Sequence, residues 1–481
     1  MHTLTSRARA GMPLTHAGPH LVNLWPPMEA HSKVGPRTRG LNGSDLLTTP
    51  ARVLKHQLLR CCKRYIRIVC SVGRSGAGKT AACRAFTLAL LRQAGAEGDK
   101  ISVERVQAMF TILRSFGCVS SPHSDASSRF ATVFSLDFNH AGRTAGGHLQ
   151  TLMLDRWKVC QKTSGESNFL VFSQMLAGVD SAMRTELQLH QLPESNSFGI
   201  RLSSRQVEEK QRASVAFAKL LAAMETLSFS AGEQKAIWHV LAGIYHLGAA
   251  GACKVGRRQF VNFDSARVAG GVLGCDGEDL HTAVFKHHLR QLLQRATGGR
   301  RRVFFLVSAG PRMTAAQCVE GMAAGLYEEL FTSVVSLINR ALSSPQLTLA
   351  SVMVVDPPGL RNPRHSGGER AAGWSEFCHN YLQERLLQRH HAHTFTHALQ
   401  RYAQVCDVTR RVARRRRVFC PAAVSLRASR CRVLQEKIPV EAEGPEKSPD
   451  EVASAIDQPP PQVHISSPTQ VTPLQSAALL W

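Results

Sequence analysis

Gly73 to Thr80 reads Gly-Arg-Ser-Gly-Ala-Gly-Lys-Thr, a complete phosphate-binding loop of the form G-x-x-x-x-G-K-[ST]. Each position has a chemical task. Gly73, Gly76 and Gly78 let the backbone bend so that its N–H groups, with those of Arg74, Ser75 and Ala77, face phosphate oxygens. Lys79 is a mobile positive charge for the β and γ phosphates, and Thr80 offers a hydroxyl to Mg²⁺. Chance alone gives on the order of 0.01 such matches in a chain this long. The flanks agree. Tyr65 to Val72 (YIRIVCSV) is a short β-branched run, and Ala81 to Gln93 (AACRAFTLALLRQ) is helix-forming. A strand, a phosphate loop and a helix in that order predict an α/β nucleotide-binding fold.

Working outward, Val103 to Phe116 has helical periodicity and Phe130 to Phe138 (FATVFSLDF) alternates as a strand. Ser167 to Ala177, Glu233 to Leu247 and Gly321 to Leu342 read as helices. Ala51 to Arg64 reads as a basic amphipathic helix. Leu347 to Val355 (LTLASVMVV) is a buried strand running into Asp356-Pro357-Pro358-Gly359. Trp374 to Tyr402 is one helical stretch, with Trp374, Phe377, Cys378, Tyr381, Leu382 and Leu386 as its apolar face. Residues 1–45 and 406–481 are rich in Pro, Gly, Ser and charge without periodicity, and both are expected to be largely disordered.

Bulk properties narrow the class. The 481 residues are 43% hydrophobic, enough for a large core. No apolar run reaches membrane-span length and no signal segment opens the chain, which reads as cytoplasmic with no membrane partner. The 13 cysteines show no C-x-x-C spacing and read as reduced thiols. Lys and Arg number 59 against 35 Asp and Glu, a formal charge of +24 that calls for an acidic partner. Nucleic acid is not expected, because no recognition signature appears and only 6% of residues are aromatic. His390, His391, His393 and His397 share helical spacing but lack accompanying ligands, so a solvated face is the expectation. Arg414 to Arg417 reads as a solvated charge run. Trp238 and Tyr245 read as core.

Three segments are candidates to converge on a nucleotide: the loop at Gly73, the stretch Asp125 to Phe130 (DASSRF), and the D-x-x-G of Asp356 to Gly359. Phosphoryl chemistry needs this set of a cradle, a metal-side hydroxyl, an arginine near the γ-phosphate and an acid with a glycine that sense it. In this order the chain resembles a myosin motor domain over roughly residues 50–405. Conventional members carry GESGAGKT, NDNSSRF and D-I-x-G-F-E where this chain has GRSGAGKT, Ser124 to Phe130 (SDASSRF) and Asp356 to Arg361 (DPPGLR). Gly165 to Gly178 (GESNFLVFSQMLAG), Ile237 to Gly248 and the relay-like stretch from Phe377 to Tyr402 match further family segments. The departures resemble class XVIII, most closely its muscle-associated form.

The resemblance implies a P-loop NTPase-type head, a twisted, mostly parallel sheet surrounded by helices, at 46–405. It implies ATP or ADP with Mg²⁺ as cofactors, held by Gly73 to Thr80. Ser127, Ser128, Arg129, Asp356 and Gly359 take the catalytic positions, and Thr80 and Ser128 the metal. Arg361 stands where the family has the glutamate that pairs with the switch arginine, here Arg129, so two positive charges are expected where a salt bridge belongs and hydrolysis is expected to be impaired. Ala126 also replaces a polar switch residue. Actin filaments are the implied partner, through the exposed loop Gly298 to Arg302 with Arg300, Arg301 and Arg302. Nothing matching a converter, a light-chain lever or a heptad tail follows, so the chain reads as cut short after the relay helix, without light chains. The implied setting is the actin cytoskeleton, the sarcomere included. The expected function is a nucleotide-regulated actin tether. The alternatives are an active ATP-driven motor, which a glutamate at 361 would favour, and an unrelated P-loop NTPase, which lacks an N-K-x-D-type base-reading motif here.

Overall fold

The computed structural model describes residues 14–17 and 20–23, then residues 65–400 except 96–99, 122–123, 161–164, 191–195, 201–206, 252, 256–257, 261–262, 277, 281–313, 345–349, 363–371 and 393–399. The chain divides into two compact units, Met1–Gly359 and Leu360–Trp481.

In the first unit, β1 (Leu14–Ala17) and β2 (His20–Asn23) form an antiparallel hairpin inside the segment expected to lack regular structure. β3 (Tyr65–Cys70) leads to α1 (Lys79–Ala94), and α2 (Val103–Gly117) follows. β4 (Cys118–Ser121) and β5 (Ser124–Ser128) form a second hairpin. β6 (Ala131–Phe138) and β7 (Thr144–Leu152) come next. Then come helices α3 (Leu170–Gly178), α4 (Ser181–Glu186), α5 (Val207–Thr226) and α6 (Ala231–Ala250). The small hairpin β8 (Cys253–Val255) and β9 (Arg258–Phe260) precedes α7 (Phe263–Leu273), α8 (Ala315–Leu342) and β10 (Ala350–Asp356).

The main sheet has the order β3-β10-β6-β7. β10 runs parallel to β3, pairing Ala350 with Tyr65 and Val355 with Cys70. It runs antiparallel to β6, and β6 is antiparallel to β7. The P-loop architecture is as expected, but the described sheet is mixed rather than mostly parallel. Part of the reason is local: five residues separate β6 from β7, long enough for a hairpin and too short for a parallel crossover, whereas β10 meets β6 antiparallel only through tertiary pairing.

The helices that sequence periodicity locates also carry start signals. Ser102 accepts from the Arg105 N–H at the head of α2. Ser230 with Glu233, and Thr314 with Gln317, close capping boxes on α6 and α8. Trp238 and Tyr245 are buried core residues, with Trp238 packed 5.0 Å from Phe217 of α5. α8 packs against α6, β7 and α2. Phe331 meets Phe130 edge-on at 5.2 Å, Tyr327 stacks on Phe169 at 4.6 Å, and the buried Tyr327 hydroxyl donates to the Phe116 carbonyl.

In the second unit, α9 (Trp374–His391) is described. Its expected apolar face is not its buried one. Trp374 is 68% exposed, while Glu376, His379, Asn380, Gln383 and Glu384 are buried. The polar residues turn inward because Glu376 and Asn380 bind Arg361. The Arg361 N–H donates to the Asn380 side chain at 2.9 Å, and the Asn380 amide donates to the Arg361 carbonyl at 2.8 Å. The expected helix at residues 51–64, the loop at Gly298 to Arg302, His393, His397 and Arg414 to Arg417 lie outside the described residues. Among the described residues no helix is long and apolar enough to cross a membrane.

Candidate functional site

β3 and β10 are adjacent and parallel, so their carboxyl ends emerge on the same side. The Ser71 N–H donates to the Val355 carbonyl at 3.0 Å, just where the phosphate loop departs. This is where open α/β sheets place their ligands. Within the loop Gly73, Gly76 and Gly78 have φ of 149°, 82° and 77°, a region that side chains with a Cβ rarely enter. Gly78 is the N-cap of α1, and no side chain caps that end. The first N–H groups of the helix therefore point toward the loop without a side-chain acceptor, the arrangement that favours an anion. The Lys79 ammonium donates to the Arg74 carbonyl at 2.9 Å and so spans the loop.

The two hydroxyls expected from the second segment arrive here. Ser75 and Ser127 lie 3.0 Å apart through their Oγ atoms, and Thr80 Oγ1 and Ser128 Oγ lie 3.3 Å apart. They arrive because β5 folds back on β4, pairing Ser128 with Cys118 and Ser127 with Val119. The Ser71 hydroxyl donates to Asp356 Oδ1 at 2.9 Å. Gly359 closes the site. A Cβ there would fall 2.3 Å from the Ser75 nitrogen and 2.5 Å from Lys79 Nζ, so only glycine fits against the loop.

Electrostatics fit the same chemistry. Burial pushes the Lys79 pKa down, opposed by the negative charge of Asp356. Burial pushes the Asp356 carboxyl up, opposed by hydrogen bonds from Thr80 and Ser71 and by the Lys79 charge. Both ions are short of hydration. An anionic phosphate beside Lys79 and a cation beside the Thr80 and Ser128 hydroxyls would supply what burial removes. Burial raises the Cys83 thiol well above its ordinary value, so it is not a nucleophile at neutral pH. The donor set fits a magnesium–nucleotide.

Arg129 is the residue whose surroundings sequence reading missed. It is fully buried and donates to Glu166 Oε1 at 2.8 Å, while Lys158 donates to Glu166 Oε2 at 2.7 Å. Glu166 lies in the family-like segment from Gly165, yet no spacing rule links it to an arginine 37 residues earlier. In the second unit Arg361 lies 3.7 Å from Glu376. Each arginine therefore has a carboxylate of its own, Arg129 with Glu166 and Arg361 with Glu376.

Residues 57–405 match the family model described as myosin head (motor domain). Over 468 residues the chain is 44% identical to human unconventional myosin-XVIIIb, covering 97% of this chain and 17% of that protein. Over 417 residues it is 40% identical to mouse unconventional myosin-XVIIIa, covering 84% of this chain and 20% of that protein. A more distant likeness is to unconventional myosin IC of Drosophila melanogaster, 27% identical over 327 residues, 66% of this chain and 29% of that protein. The chain spans about a fifth of the length of the two class XVIII relatives.

Proposed function

Because the chain belongs to the myosin head family, we propose that it binds a magnesium–nucleotide, ATP or ADP, in the loop site and actin filaments elsewhere, as a nucleotide-regulated tether with weak or absent hydrolysis. The observation that carries the nucleotide reading is the convergence of Lys79, Thr80, Ser128, Asp356 and Gly359 at the carboxyl ends of β3 and β10. Lys79 and the loop N–H groups hold phosphate oxygens. Thr80 and Ser128 hold the metal through their hydroxyls, with Asp356 behind them. The bound nucleotide and metal supply the phosphoryl group and its charge neutralisation.

Weak hydrolysis is supported by how the arginines are held. Transfer depends on positioning and charge stabilisation, which in the family includes closure through an arginine–glutamate pair. Here Glu166 holds Arg129, and position 361 is an arginine held by Glu376. Binding does not need that closure; positioning an attacking water does.

The test pairs two measurements. A fluorescent nucleotide is titrated into wild type and Lys79→Ala, where loss of a charge-assisted contact should weaken binding by roughly 1.5–3 kcal/mol. Equal binding would refute the site. Actin-activated phosphate release should stay well below about 1 per second, the low end of ordinary enzyme turnover. Release at or above that rate would refute weak hydrolysis and leave the binding reading standing.

A further inference from the structure

An open cleft of about 750 Å³ lies among α1, α2, α3 and α5, with Arg114, Arg212 and Lys219 exposed along it, and contains none of the loop residues. Its lining carries four cations, Arg84 of α1, Arg114 of α2, and Arg212 and Lys219 of α5, against one carboxylate, Glu208. Glu208 is an exposed neighbour of Arg212 at 3.4 Å on the same helix. Among the described residues Arg84, Arg114 and Lys219 have no carboxylate partner. The α5 residues at the cavity recur at helical spacing, so a whole stripe of that helix is turned to it.

Gln174 of α3 also lines the cavity. It is 7% exposed, and its Oε1 is buried without a hydrogen-bond partner. A buried amide is ordinarily satisfied, and one left unpaired costs about 1–3 kcal/mol. A side-chain amide can turn to present its NH₂ to an acceptor. Three guanidinium forks and an ammonium make the cleft predominantly a donor site, which the Gln174 amide joins when its NH₂ is turned inward, and guanidinium matches phosphate oxygens two at a time. The volume falls in the small-ligand range of about 300–1,000 Å³. Apolar lining is confined to Val215 and Ala216, which disfavours a peptide anchored by hydrophobic side chains.

We propose that this cavity binds a compact anion carrying several phosphomonoester groups, separately from the nucleotide loop. The soluble probe is myo-inositol hexakisphosphate, titrated calorimetrically into the full chain at physiological salt with the loop saturated by Mg-ADP. Saturable one-site binding is expected, retained in Lys79→Ala and weakened about tenfold or more in Arg114→Glu and in Lys219→Glu. Gln174→Leu separates ligation from structure. It should lower probe affinity while holding or raising thermal stability, because an unpaired buried amide is removed. Vesicles carrying phosphatidylinositol bisphosphate form the second arm. Capture with the same variant dependence, and no binding of the soluble probe, assigns the phosphates to a lipid headgroup. No saturable binding in either arm overturns the proposal. So does binding indifferent to all three cavity variants, or binding lost in Lys79→Ala.

Discussion

Replacing Glu166 by alanine should be among the most damaging single changes in the first unit. Its carboxylate holds two buried cations, at 2.8 Å from Arg129 and 2.7 Å from Lys158, and the three side chains are 1%, 8% and 7% exposed for Arg129, Lys158 and Glu166. At an effective dielectric of 20 each contact is worth about 6 kcal/mol of gross attraction. The desolvation of three ions and the repulsion between two cations offset much of this. Removal leaves those cations in place without the shared anion, and breaking a buried pair from one side costs about 3–5 kcal/mol. Chemical denaturation monitored by circular dichroism, with the same slope assumed only if measured, gives the loss. Glu166→Gln keeps the shape and removes the charge, so most of the loss should appear there as well. A triple replacement by apolar residues, Arg129→Met, Lys158→Met and Glu166→Leu, should recover much of it. A loss below about 1 kcal/mol for Glu166→Ala would refute the reasoning, because it would mean water or another anion serves the cations.

The other expectations concern contact, charge and pH. Gly359→Ala should weaken nucleotide binding by about tenfold or more, since its methyl carbon would fall 2.3 Å from the Ser75 nitrogen and force the loop to move; unchanged affinity in the fluorescent titration would contradict that approach. His246 is buried, donates from Nε2 to the Leu187 carbonyl at 2.9 Å, and has its pKa lowered by burial. The unfolded chain therefore takes up the proton first. Stability should be complete above the ordinary value of 6.5 and fall with acidification, by at most about 1.4 kcal/mol per pH unit. His246→Gln should flatten that slope, and an unaltered slope would assign it elsewhere. The sequence also places Arg300, Arg301 and Arg302 in an exposed basic loop outside the described residues. Triple alanine substitution should reduce filament co-sedimentation and its salt dependence, since exposed charges are screened over about 8 Å at physiological salt. Pelleting indifferent to both would remove the loop from the interface.

What the sequence determined by itself was local chemistry. Three glycines forced to positive φ, a lysine and a threonine lie within eight residues, so the phosphate loop needs no distant partner to be recognised. The helices α2, α6 and α8 were legible because apolar periodicity and cap residues coincide in one stretch of chain. Tertiary structure decided what those rules do not reach. β7 has weak strand chemistry, with Gly146 and Gly147 in it; it forms by pairing along its length with β6, and Gly147 leaves room for Ile101 and Phe134 against it. α5 opens on a charged half that hides its buried Phe217 and Leu220. The mixed direction of the sheet follows from which strands became neighbours. The partner of Arg129 follows from burial, because a guanidinium with no access to water must meet an anion in space, and Glu166 is brought to it only by the folded chain.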